Sequence, residues 1–301
     1  MRRRKIKLSI AIAAYNEASG IRRVLTKILR QQTNTVKLVE IVVACDGCTD
    51  KTAELARSLG NPLIRVIDDH HRMGKTKRLQ QLFAECKGEV ILMLDADIDM
   101  PNVYLFDKIC QPFADEQVAL VGGNSRPAHA STFMQKAVLS TFSVFKASRD
   151  NHLDGNNLFG CTGSCLAIRG NFARTITFPP IVNEDAYLYF QTLASKLKFR
   201  YAKEAVITYK LPTVTSDYLK QVLRSEPMAV NSELQPYFDF DLTPYTQRDK
   251  VWLLKQVGKQ LVFNPLGVSY VIMLNLLVQP ILKHAIQKYS LNWFTAESTH
   301  S

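Results

Sequence analysis

Cysteine is scarce, with six residues (45, 48, 86, 110, 161 and 165) in a chain of 301. Most fall inside apparent core elements, which argues against a disulfide scaffold and makes a reducing cytosol the natural setting. Cys45-Asp-Gly-Cys48 has the spacing of a thioredoxin-type pair, but its Asp-Gly reads better as a turn after a strand, and Cys161 with Cys165 lacks a usual zinc spacing. Zinc-finger spacings, a recognition-helix motif and any stretch interleaving basic residues with aromatics are also missing. The net charge of +11 is therefore not read as nucleic-acid binding, and a membrane surface or a polyanionic ligand is left to account for it. A complete phosphate loop is absent too, because Gly74-Lys75-Thr76 would need a glycine at position 69, where Asp69 stands. An aspartyl-nucleophile phosphatase wants its Asp pair at the first strand, whereas here the pair ends the fourth. The amino terminus imitates a signal peptide, but its apolar run stops within about seven residues at Tyr15-Asn16-Glu17 and reads as a first strand feeding a helix.

With 47% hydrophobic residues the chain can bury a full core, and its length suits one large α/β domain with an appendage. Everything is organised around Val90 to Asp99, VILMLDADID, an apolar run between Gly88 and Pro101 that surfaces into alternate aspartates. The run reads as a central strand of a covered parallel sheet, whose functional loops lie at the strands' carboxyl ends. Asp95 and Asp97 would repel each other without a cation between them, and hard oxygen ligands on a loop suit magnesium or manganese better than zinc. The plainer alternative is a solvated acidic turn capping a helix near Pro101.

In chain order, residues 8–14 make a strand, and Ile21, Val24, Leu25, Ile28 and Leu29 then repeat at helical spacing. Val39 to Ala44 is a second strand, broken by the turn Asp46-Gly47, with a helix over Ala53, Ala56 and Leu59 that stops at Gly60. Leu63 to Ile67 is a third, whose loop leads into a helix marked by Leu79, Leu82, Phe83 and Cys86. Four strands alternating with helices predict a doubly wound, mostly parallel sheet. Beyond it, Val118 to Gly123 reads as a strand, Phe133 to Phe145 as an amphipathic helix and Cys165 to Ile168 as a short strand. Asn183-Glu184-Asp185 opens a further helix, where acids also match the helix dipole.

Tyr15-Asn16-Glu17, Asp46-Gly47-Cys48-Thr49-Asp50, Gly74-Lys75 and Asp95-Ala96-Asp97, each at a successive strand end, resemble the motifs of the family 2 glycosyltransferases. These are inverting enzymes with the nucleotide-sugar-binding fold called GT-A, and the resemblance covers about three quarters of the chain. Position 48 departs from it, since the family usually has Ser there. The resemblance implies a GT-A domain over residues 1–230 and donor-binding roles for Tyr15, Glu17, Asp46, Lys75, Asp95 and Arg224. Glu17 and Asp46 would hold base and ribose, Asp95 would lie near the ribose or sugar, and Asp97, with Asp95, would ligate Mn2+ or Mg2+. Gly160 to Ser164 resembles the acceptor-side loop, which brings in Gly163 with Glu184. Asp185 matches the last carboxylate of the family's Glu-Asp motif, its general base. Gln221-Val222-Leu223-Arg224 resembles part of the QxxRW motif of processive polysaccharide synthases, with Ser225 in place of Trp. That departure leaves processivity open while keeping a diphosphate role for Arg224.

Residues 231–301 are expected to form a helical appendage. No charge occurs from Gln260 to Leu282, long enough to span a bilayer, but Asn264, Pro265, Asn275, Gln279 and Pro280 suit an interfacial hairpin better. Trp252, Leu253 and Val257 among Lys250, Lys255 and Lys259 read as a surface-lying amphipathic helix; soluble core helices are the other reading. Together these features imply transfer from a nucleoside-diphosphate sugar to a glycan or lipid acceptor at the cytosolic membrane face. A catalytically inactive scaffold of the same fold is the alternative.

Overall fold

The computed structural model describes residues 4–285, with 226 and 248 excepted, and the side chains of 223–229 and from 278 onward fall outside that description. Strands β1 (Ile6–Ala14), β2 (Val36–Cys45), β3 (Ile64–Asp68) and β4 (Val90–Leu94) alternate with helices α1 (Ile21–Leu29), α2 (Thr52–Arg57) and α3 (Lys75–Glu85). The strands pair in parallel in the order β3-β2-β1-β4. All four carboxyl ends, and the loops that follow them, therefore open on one edge of the sheet.

Alternation along β1 divides the core. Leu8, Ile10 and Ile12 face α1, α2 and the later α4 (Leu105–Cys110), while Ala11 and Ala13 face α3 on the other side. Every residue of β4 is buried, since β1 flanks it on one side, a later strand on the other, and helices cover both faces.

The chain continues through β5 (Val118–Pro127), α5 (Phe133–Asn151), β6 (Cys165–Arg169), α6 (Gly170–Ala173), α7 (Glu184–Ala194) and β7 (Lys198–Tyr209). These complete a seven-stranded sheet, β3-β2-β1-β4-β6-β5-β7, in which only β6 runs antiparallel to its neighbours. That reversal positions the site. Cys165 pairs with Leu94, so the loop entering β6 lies beside the loop leaving β4, and the Asp95 N–H donates to the Ser164 carbonyl at 3.3 Å. The predicted mostly parallel sheet flanked by helices is the one observed. β5 and α5 run on to Pro127 and Asn151, past the ends expected from their apolar patterns.

Among the described residues the chain goes on through α8 (Thr215–Ser225), α9 (Pro227–Leu234), α10 (Thr243–Thr246), α11 (Lys250–Phe263) and α12 (Pro265–Ala285). Leu234 and Leu242 are fully buried, and Phe238, Phe240 and Tyr245 pack their rings on Phe190 of α7. The segment from 234 to 246 thus closes over the sheet's helix layer. The uncharged run divides at Asn264, whose side chain donates to Ser140 Oγ at 3.0 Å and accepts from the Gly267 N–H at 3.1 Å. No helix among the described residues is long and apolar enough to cross a membrane. α12 rests on α5 and α8 through Val271 and Leu274, against Met134, Val138 and Tyr218.

Candidate active site

The loops after β1 and β2 are bonded to each other. Asn16 has φ 54°, a left-handed conformation that Asn tolerates, and its side chain accepts from the Thr49 N–H at 2.9 Å. The Glu17 N–H donates to Thr52 Oγ1 at 2.7 Å, and Glu17 itself is buried. Gly47 has φ 65°, and a Cβ there would lie 3.0 Å from the Arg72 backbone nitrogen. Glycine therefore lets the third loop approach, and the Arg72 guanidinium stacks 3.7 Å over the Tyr15 ring.

Asp46 points inward. It is fully buried, and its carboxylate accepts from the Met73 N–H at 2.7 Å, the Gly74 N–H at 3.1 Å and Arg78 Nε at 3.2 Å. Arg78, equally buried, also grips Asp69, and this bonding holds the Asp69 carboxyl well below the usual carboxylate range. Asp46 thus lies beneath the loop that delivers Lys75, not on a surface open to a ligand. Sequence reasoning missed Arg78. The signal was its place four residues before Leu82 on the apolar face of α3, where a charge must find partners. Arg78→Met removes the charge partner of the buried Asp46 carboxylate and leaves it only the Met73 and Gly74 N–H groups, with an expected loss of about 3–5 kcal/mol in denaturant unfolding. A loss under about 1 kcal/mol, the value of an exposed pair, would contradict this reading.

At the end of β4, half-buried Asp95 and Asp97 alternate with buried Ala96 and Ile98. A Cβ at Gly20 would lie 2.7 Å from the Ala96 carbonyl oxygen, so a bare Gly20 allows this loop to press on the start of α1. Arg23 Nη2 donates to the Asp97 carbonyl at 3.3 Å. Asp99 turns away to pair with the Thr208 backbone and with Lys27.

Lys75, the first residue of α3, joins two parts of the site. Its Nζ lies 3.3 Å from Asp95 Oδ1 and 2.7 Å from Glu184 Oε1. Beside Glu184, Asp185 accepts the Gly163 N–H at 3.0 Å on Oδ2 and the Ala186 N–H at 2.8 Å on Oδ1. A Cβ on Gly163 would stand 3.3 Å from Glu184 Oε1 and 3.6 Å from Asp185 Oδ2, so the bare backbone leaves the space above both acids free. Lys75, Asp95, Gly163, Glu184 and Asp185 line one cleft, floored by Ala11 and Ala13 of β1 with Leu79, Met93, Leu166 and Leu188. Burial, and next the Glu184 charge, raise the Asp185 carboxyl above its ordinary value, while Lys75 and the two N–H groups oppose the shift. Ser125 Oγ of β5 lies 3.0 Å from Thr162 Oγ1 and 2.7 Å from Ser164 Oγ, tying down the loop that carries Gly163.

The structure brings together Lys75, Asp95, Gly163, Glu184 and Asp185. It places Asp97 on the Asp95 loop but not in the cleft lining, and Tyr15, Glu17 and Asp46 on the adjoining loops. Arg224 belongs to α8, and its side chain lies outside the described residues. Among the described residues no three His, Cys, Asp or Glu side chains converge as a metal cage. Asp95 and Asp97 offer two carboxylates, and the Lys75 ammonium already rests on one of them as a cation would. Such an all-oxygen pair fits Mg2+ or Mn2+ completed by phosphate oxygens and water, and does not fit zinc.

A parallel sheet with an acidic loop at its fourth strand, joined by an antiparallel strand that sets a second loop alongside, is the GT-A glycosyltransferase architecture. It superposes on a mannosyltransferase from Pyrobaculum calidifontis, solved in complex with GDP-Man and Mn2+, with TM-score 0.64 and 17% identity over 95% of this chain and 84% of that one. Glucosyl-3-phosphoglycerate synthase from Mycobacterium tuberculosis, solved with Mn2+ and UDP, gives 0.53 at 18% identity over 81% of this chain and 82% of its own. The chain belongs to glycosyl transferase family 2, whose model matches residues 9–176. It is 27% identical over 152 residues to the dolichyl-phosphate beta-glucosyltransferase of Mus musculus, 46% of this chain and 47% of that protein. It is 26% identical over 113 residues to the 4,4'-diaponeurosporenoate glycosyltransferase of Staphylococcus haemolyticus, 36% of this chain and 29% of that protein. The matches therefore span less than half the length of these two relatives.

Proposed function

We propose that the chain is an inverting, metal-dependent glycosyltransferase that moves a hexosyl or N-acetylhexosaminyl group from a nucleoside diphosphate to a hydroxyl of a glycan or lipid-linked acceptor. The observation that carries this reading is the meeting of Lys75, Asp95, Glu184 and Asp185, from α3, the β4 loop and α7, in one cleft. Tyr15 and Glu17 line the base and ribose side, and Asp46 serves the nucleotide through the loop it anchors. Asp95 and Asp97 would hold Mg2+ or Mn2+, which supplies charge stabilisation to the departing diphosphate. Lys75, held between two acids, would offset the remaining charge of the diphosphate, with Arg224 as a second cation. Asp185 keeps a free lone pair on each oxygen and takes the proton from the acceptor hydroxyl as that oxygen attacks the anomeric carbon. Attack opposite the leaving group inverts that carbon.

The raised carboxyl of Asp185 has a consequence for stability. A carboxyl whose pKa is higher folded than unfolded costs stability as pH rises from the unfolded value, 3.8, through the raised folded one. Asp185→Asn removes that cost, so the difference in melting temperature between variant and parent is expected to move in the variant's favour across this window and then stay level. Thermal unfolding at a series of pH values checks it. A difference that does not change with pH would contradict the raised carboxyl and point to a helix-capping role instead.

The same reading places the enzyme on the cytosolic face of a membrane through α11 and α12. Val262, Phe263 and Leu266 are 80%, 83% and 76% exposed, far beyond what an isolated surface residue needs. Exposed Lys250, Lys255 and Lys259 lie on the same helical hairpin and suit anionic headgroups. Full-length protein is expected to float with anionic liposomes, and the doubly substituted Phe263→Glu, Leu266→Glu protein to stay behind with its fold intact. Equal flotation of the two would remove this part of the reading.

A further inference from the structure

The two acids of the cleft stand at the first turn of α7, where a helix has N–H groups without partners of its own. Asn183, in the capping position, has φ −93° and ψ 70°, and its side chain makes no capping bond. The partner comes from further along the chain. Glu233 of α9 accepts the Val182 N–H at 2.6 Å on Oε1, and on Oε2 it accepts the Asn183 N–H at 3.2 Å and the Asn183 side-chain amide at 2.7 Å. A carboxylate there makes charge-assisted bonds and meets the positive end of the helix dipole. Glu233 is itself held in place, because Val230 and Leu234 of the same helix are buried in the cluster that contains Tyr187 and Leu188 of α7. It does not line the cleft, and it lies in the segment whose sequence reads as a helical appendage.

We propose that Glu233 is a positioning residue for transfer, whose three bonds set the start of α7 so that Asp185 faces the acceptor hydroxyl, a role that rests on the reading of Asp185 as the base. The Gly163 N–H orients the Asp185 carboxylate itself, whereas Glu233 fixes the backbone that leads into it. Glu233→Gln cannot keep all three bonds. One oxygen becomes an NH2 group that faces an N–H donor, at Val182 or at Asn183, and two donors set against each other must move apart. A misplacement of about 1 Å near the reacting atoms costs on the order of 100-fold, so turnover is expected to fall about 10-fold to 100-fold. Lys75 keeps its bond to Asp95, and donor affinity is expected to stay within about 2-fold of the parent's.

The test is a double-mutant cycle on the full chain. It reads nucleoside diphosphate release, with Mn2+, from the nucleotide sugar that the parent cleaves fastest in a panel that includes UDP-glucose and GDP-mannose. Glu233→Gln is made in the parent and in Asp185→Asn, with donor affinity and melting temperature measured on all four proteins. A residue that acts through Asp185 has nothing left to position once that carboxylate is gone, so the residual rate of Asp185→Asn should change by less than about 2-fold on adding Glu233→Gln. Should Glu233→Gln not stay folded at the assay temperature, Asn183→Ala removes only the 2.7 Å bond and should slow the parent but not Asp185→Asn. An equal fold-loss in both backgrounds, a loss of donor affinity in place of turnover, or an unchanged rate in the parent would overturn the proposal and leave the base reading standing. A parent that cleaves no nucleotide sugar, or an Asp185→Asn protein that keeps its rate, overturns the base reading and the role of Glu233 with it.

Discussion

Asp185→Asn is expected to lower turnover by roughly 100-fold to 10,000-fold with donor affinity near normal, the usual loss for a positioned general base. The two Asp185 oxygens are oriented by the Gly163 and Ala186 N–H groups, of which the amide oxygen keeps one, while the bonds of Lys75 to Asp95 and Glu184 are left in place. Glu184→Gln is expected to separate from it in kind. Glu184 holds Lys75 at 2.7 Å, so its loss frees the ammonium and should appear chiefly as a change in donor affinity, with much less loss of turnover. An Asp185→Asn enzyme that keeps most of its transfer rate would move the base elsewhere.

The second large effect belongs to Asp97. Replacing it by Asn should abolish manganese-dependent donor binding without unfolding the protein, because the side chain is half-buried on a loop and the apolar neighbours Ala96 and Ile98 hold that loop in place. Calorimetry with a nucleoside diphosphate and Mn2+ reads this directly, and unchanged binding would sink the metal assignment. The Asp95→Asn variant additionally frees one contact of Lys75, so it should weaken metal-independent binding differently from Asp97→Asn.

What was legible in the sequence was periodic. The alternation of β1 and the unbroken apolar run of β4 fixed the sheet, and strand ends carrying Asn-Glu, Asp-Gly and Asp-x-Asp marked the edge where the loops gather. Partnership across that edge was not legible. Lys75 reads as the start of a helix, and nothing local says that it bridges Asp95 and Glu184, 89 positions apart in the chain. The resemblance gave Asp46 a donor role, and nothing local says that its carboxylate is buried against Arg78 beneath the loop that delivers Lys75. The appendage was likewise half-read: its charge pattern marked α11 and α12, whereas Phe238, Phe240 and Tyr245 join the core through ring contacts that have no spacing to reveal them.

The most direct measurement is release of nucleoside diphosphate when purified protein is given a panel of nucleotide sugars with Mn2+, run alongside EDTA and Asp185→Asn controls. At least one sugar should be turned over, by slow hydrolysis without acceptor and faster with one, with turnover lost in EDTA and strongly reduced in Asp185→Asn. Binding of nucleotide sugars without any cleavage would identify an inactive scaffold, and cleavage that survives both EDTA and Asp185→Asn would contradict the metal and base assignments together.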